Sequence, residues 1–123
     1  MISLILVIIS GICNAVMDII SFKYYTSVFS KLNARFWNPE ISWKNKYINF
    51  NPNMGRRKLF WRINYPVQIT DAWHLFKTLG IFLYIFAIVF YSPLSSSLLF
   101  DVLLLGCFRN LGFSFFYNKL FRL

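Results

Sequence analysis

MISLILVIISGICNAVMDIISF, residues 1–22, decides what kind of protein this is, because it holds only one charged side chain, Asp18, in an otherwise apolar run. As a helix rising 1.5 Å per residue it would reach about 33 Å, enough to cross a hydrocarbon layer of about 30 Å. No basic residues precede the apolar stretch and no small-x-small cleavage site follows it, so it reads as a permanent helix and not as a signal peptide. Two further runs have the same character, about Trp73–Tyr91 and about Leu94–Tyr117. Thr70-Asp71 supplies a helix start for the second, and Ser92-Pro93 closes it. The connection to the third run is so short that these two helices are expected to be antiparallel neighbours.

The expected fold is therefore an all-α membrane protein forming a single membrane domain over residues 1–123, with spans at about 1–22, 73–91 and 94–117. Hydrophobic residues make up 58% of the chain and aromatics 21%, more than an ordinary soluble domain carries. The net charge of +9 admits a nucleic-acid reading, but its distribution favours another. Nine of the thirteen basic residues fall between Lys23 and Arg62, two more are Lys119 and Arg122, and the connection 92–97 has none. The positive-inside rule then sets the N-terminus outside and the C-terminus in the cytoplasm, in a multi-pass protein of the inner (cytoplasmic) membrane. No nucleic-acid partner is expected.

Residues 23–70 form the non-spanning part. Phe22, Tyr25, Val28, Phe29, Leu32 and Phe36 recur at helical spacing, with Lys23, Lys31 and Arg35 on other faces. This predicts an amphipathic helix lying in the membrane interface against anionic lipid and ending at Asn38-Pro39. Asn51-Pro52-Asn53-Met54-Gly55 is a turn signal for a small hairpin. Trp37, Trp43, Trp61, Tyr47 and Tyr65 fit an interfacial aromatic belt. Cys13 and Cys107 both lie in spans and read as packing residues, without metal-ligand spacing. Gly106 and Gly112 read as close-contact positions between helices, though not at GxxxG spacing.

The ionisable residues within the spans point to a site. Counted from the outer end of each helix, the depths are roughly 24 Å for Asp18, 26 Å for His74, 21 Å for Lys77 and 22 Å for Arg109. Asn14 lies one turn from Asp18 on the same face, and Asn110 adjoins Arg109. Asn14, Asp18, Lys77, Arg109 and Asn110 are the candidate ligand-binding residues. One carboxylate facing two fixed cations leaves a positive field that would hold a lipid phosphate or another anion; the structural alternative is an internal ion pair braced by asparagine hydrogen bonds. His74 is a candidate proton carrier with Asp71 one turn before it, or else a helix-end hydrogen-bonding residue. Asp101, nearer the outer side, reads as pairing with a partner, snorkelling outward, or lining a polar path with Asn14 and Arg109. A single histidine without a ligand repeat points to no metal, and no cofactor is expected.

Cys13-Asn14-Ala15-Val16-Met17-Asp18, Phe36-Trp37-Asn38-Pro39 with Ser42-Trp43-Lys44-Asn45-Lys46-Tyr47, Thr70-Asp71-Ala72-Trp73-His74-Leu75-Phe76-Lys77 and Phe116-Tyr117-Asn118-Lys119 resemble a family of small bacterial integral membrane proteins. The resemblance spans most of the chain and implies the membrane fold, but it brings no activity. From the residues, the leading expectation is a non-catalytic accessory or structural subunit of a larger membrane complex, partnered by anionic lipids and by other subunits or further copies of itself. The alternatives are an enzyme or carrier for a phospholipid or lipid-linked anion at the His/Lys/Arg/Asp cluster, and a holin-like pore former.

Overall fold

A computed structural model describes residues 1–123. The chain is mostly helical, and three of its helices are long and apolar enough to cross a membrane: Ile2–Thr26, Ala72–Val89 and Leu98–Leu120. In chain order the regular elements are α1 (Ile2–Lys23), α2 (Ala34–Trp37), α3 (Pro39–Ser42), strands β1 (Lys58–Phe60) and β2 (Ile63–Asn64), α4 (Ala72–Val89) and α5 (Leu98–Phe115), with a π turn at Phe116–Leu120.

The long helices are arranged around α1. It packs along both α4 and α5, whereas α4 and α5 make almost no contact with each other. This corrects the expectation that the second and third spans would be packed neighbours. Small residues on α1 explain the difference, since in lipid close backbone approach and interhelical hydrogen bonds hold helices together. Ser3 Oγ donates to the Ala87 carbonyl at 2.8 Å and Ser10 Oγ to the Gly80 carbonyl at 3.2 Å. Both pairs are spaced by seven residues, the repeat of a left-handed helix pair, here antiparallel. On its other side α1 meets α5 through glycine. A Cβ on Gly11 would overlap the Arg109 carbonyl, and one on Gly112 would lie 2.8 Å from the Ile8 carbonyl oxygen. Gly112 thus serves close packing as expected, while Gly106 faces open space. Of the two cysteines, Cys13 is buried and Cys107 is exposed.

The expected interfacial helix over Phe22–Phe36 is absent. Beyond Lys23 the chain breaks into 3₁₀ turns at Tyr24–Thr26 and Val28–Lys31, with extended backbone at Ser27 and Leu32. Hydroxyl side chains compete for the helical carbonyls here: Ser27 Oγ donates to Tyr24 O at 2.7 Å and Ser30 Oγ to Ser27 O at 2.7 Å. The C-terminal residues take the freed backbone groups, with Val28 N–H donating to Phe121 O and Leu123 N–H to Thr26 O. Phe29, buried beside Val16, Ile19, Ile20, Tyr24 and Ala72, belongs to the main apolar core, with Val28, Phe36, Trp37, Phe76, Tyr117 and Phe121 packed around it. Phe29, Val28 and Phe36 of the stripe therefore cap the basic end of the bundle from inside, while Phe22, Tyr25 and Leu32 stay exposed.

Trp37 stacks on Phe29 at 4.8 Å within that cap and is not part of a belt; Trp61, by contrast, is 92% exposed. The 51–55 turn is present, flanked by a Tyr47–Arg56 bridge, and β1 and β2 pair antiparallel just beyond it. Between α4 and α5, residues 90–97 form a loop, and α5 begins at Leu98, four residues later than the apolar run. Asp101 holds this loop. It is fully buried and accepts from the Tyr91 hydroxyl at 2.6 Å, Ser95 Oγ at 2.7 Å and the Leu94 N–H at 2.9 Å. Its carboxylate is satisfied by the loop, so it neither snorkels outward nor opens a path toward Arg109.

Candidate functional site

Because α4 and α5 splay apart over α1, a cleft lies between them. Its outer part, about 460 Å³, is apolar and is lined by Val7 from α1, Tyr84, Ala87, Ile88 and Tyr91 on the α4 side, and Leu98, Val102, Leu105 and Gly106 from α5. Toward the basic end a second cavity of about 160 Å³ is lined by Ser10, Asn14, Met17, Lys77, Gly80, Ile81, Tyr84 and Arg109. Tyr84 borders both, so the apolar cleft and the cationic cavity are neighbours along α4.

Helical spacing builds the inner cavity. Lys77, Gly80, Ile81 and Tyr84 follow i, i+3, i+4, i+7, as do Ser10, Asn14 and Met17 at i, i+4, i+7, so each set shares one helix face. Arg109 is brought in by the glycine contact that seats its backbone on Gly11. Its guanidinium lies 5.2 Å from the centroid of the Tyr84 ring, and its Nε is buried without an acceptor. Lys77 lines the same cavity, with its ammonium turned toward the basic end and 4.9 Å from the centroid of the Trp73 ring.

The six candidate residues from the spans, with Asp71, divide into separate groups. Asn14, Lys77 and Arg109 meet at the inner cavity. Asn110 is exposed outside it. Asp18 does not line it and closes no ion pair, the only acid–base contact within 4.0 Å being Asp71–His74. The single common depth is thereby corrected. With α5 starting at Leu98, Arg109 lies eleven residues in, about 16 Å, close to Gly11 at about 14 Å from the start of α1. Asp18 is seven residues farther along α1, about 10 Å deeper toward the basic end.

Asp71 and His74 form their own site at the start of α4. Asp71 Oδ1 accepts the His74 backbone N–H at 2.9 Å and Oδ2 lies 2.7 Å from His74 Nδ1. The first contact is the helix cap, with Asp71 as N-cap and His74 as the third helical residue; the second joins the two side chains. A cavity of about 240 Å³ beside them is lined by Ser21, Pro39, Ser42, Trp43 and Trp73. Neither serine hydrogen-bonds to the imidazole, so the pair is not coupled to a nucleophile.

Sequence reading missed Tyr84, Ser10 and Gly80, although the i+3 and i+7 positions from Lys77 identify the latter face. It also missed Val102, Leu105 and Gly106, whose role depends on α4 and α5 standing apart. Comparison with protein-family models, with curated proteins and with solved structures gives no match for this chain.

Proposed function

We propose that this protein is a non-catalytic integral membrane component that holds an anionic group, supplied from outside the chain, at Arg109 and Lys77. The observation that carries the reading is the Arg109 side chain, set near mid-span with a buried Nε that no acceptor meets. A cation in the hydrocarbon layer is costly unless it is paired or faces water. No acid of the chain closes an ion pair with it: Asp71 is engaged in its helix cap, Asp101 in its loop, Glu40 in the Tyr25 hydroxyl bond at 2.6 Å, and Asp18, near enough to feel the Arg109 charge, stands beyond ion-pair distance. Its working form therefore includes something more than this chain, as an accessory component would.

Binding is favoured over turnover because the groove presents no nucleophile paired with a base, and the Asp71–His74 pair stands outside the groove with its carboxylate already capping α4. The clustering of basic residues in 23–62 supports placing that end in the cytoplasm, with the α4–α5 loop outside. Mild detergent extraction from the host membrane tests the proposal. The wild type should carry an anionic lipid or an acidic membrane partner, Arg109→Gln should lose it, and His74→Ala should keep it. A bare monomer with nothing anionic attached would refute the reading.

A further inference from the structure

We infer that the occupant of the groove is an anionic lipid, its phosphate between Lys77 and Arg109 and its acyl chain in the apolar cleft between α4 and α5. The inference rests on the anion-holding role proposed above and names the ligand class. Charge order along the groove is the first support. The cationic cavity lies toward the basic end, and the apolar cleft continues from it past Tyr84 toward the opposite end. A lipid drawn in from the basic side would lie deeper than in its own leaflet, its phosphate neutralising Arg109 near mid-span and its chain running on toward the α4–α5 loop. Lys77, turned toward that end over Trp73, stands where a headgroup would enter, and Arg109 is the deeper contact.

Size is the second support. The apolar part, about 460 Å³, falls within the range of roughly 300–1,000 Å³ typical of small-molecule sites. A helix with its side chains is about 10 Å across and rises 1.5 Å per residue, so it displaces roughly 120 Å³ per residue. The cleft would therefore admit only a few residues of a partner helix, a space better suited to a slender acyl chain. Gly106 gives a direct probe, because it lines the cleft and a Cβ built there meets nothing within 4 Å. A larger side chain at 106 starts from an unobstructed Cβ and would occupy the chain slot.

The experiment is native mass spectrometry of the full-length protein in detergent, titrated with dioleoyl phosphatidylglycerol or dioleoyl phosphatidylcholine, with helicity checked by circular dichroism. The wild type should retain phosphatidylglycerol at least tenfold better than phosphatidylcholine. Arg109→Gln, or Arg109→Lys should the first variant fail to fold, and Gly106→Leu should each weaken retention about tenfold. Equal retention of the two lipids overturns the inference. Sensitivity to position 109 with none to Gly106→Leu also overturns it, leaving the anion site in place for a partner's carboxylate or, where inorganic phosphate competes, a free anion. Sensitivity to neither variant overturns the anion-holding role itself.

Discussion

Replacing Gly11 by alanine should separate α1 from α5, and the structure sets the size of the effect. The added methyl would overlap the Arg109 carbonyl and lie 3.2 Å from the Phe113 nitrogen, both backbone atoms that move only with their helix. At Gly112, on the facing helix, the corresponding contact is 2.8 Å to the Ile8 carbonyl oxygen. Overpacking of this kind costs about 1–3 kcal/mol, while glycine-to-alanine exchange in a helix returns about 1 kcal/mol. Gly112→Ala should therefore cost up to about 2 kcal/mol and Gly11→Ala should cost more, because its overlap is deeper. Gly106→Ala, with no neighbour within 4 Å, should instead stabilise by about 1 kcal/mol. One displacement relieves both clashes, so the Gly11/Gly112 double variant should cost less than the sum of its parts. Detergent unfolding followed by circular dichroism measures all four. A Gly11→Ala variant as stable as the wild type, or strictly additive losses, would refute the close crossing.

Asp101→Asn should lower the thermal midpoint more than Asp18→Asn, since Asp101 accepts three hydrogen bonds and Asp18 closes no ion pair. The Tyr91 phenol, bonded to Asp101, is held above the ordinary tyrosine range, so its contribution is complete below that range and lost as pH rises through the raised value; ultraviolet titration should show a late tyrosine that Asp101→Asn restores to normal. Asp71→Ala should cost about 1 kcal/mol as a lost N-cap, and unchanged stability would contradict the capping role. Cysteines introduced for Ser96 and Asn53 should react with an impermeant reagent from opposite sides of the membrane, Ser96→Cys from outside; labelling of both from one face would overturn the three-span topology.

The spans were legible because each depends on a local property, apolar length, which Asp18, Lys77, Asp101 and Arg109 interrupt only sparsely. The Asp71 cap was legible for the same reason. What escaped was long-range. Nothing local says that Ser3 and Ser10 bind carbonyls on the second span while Gly11 meets the third, and the two together put α1 in the middle. The stripe from Phe22 to Phe36 has true helical spacing, but Ser27 and Ser30 divert its backbone and the C-terminal tail claims what is freed. For Arg109 the error was one of origin: taking the helix from Leu94 and not Leu98 shifted the residue by four positions, about 6 Å. Asp101 itself fixes that later start by gathering Tyr91, Leu94 and Ser95 into the loop.

The central position of α1 has a consequence for assembly in the membrane. Its first hydrogen-bonded contact with another span joins Ser10 to Gly80, seventy residues downstream, and its glycine crossing with α5 spans nearly a hundred. The two later helices make almost no contact with each other, so they offer no helical hairpin onto which α1 can dock. Contacts at such separation form late, because the intervening chain must be closed first. During synthesis α1 therefore waits in the bilayer with its Gly11 face open until the last span arrives. Truncation before Arg109 should therefore leave α1 paired with α4 alone and its glycine face uncovered, a species suited to removal by quality control.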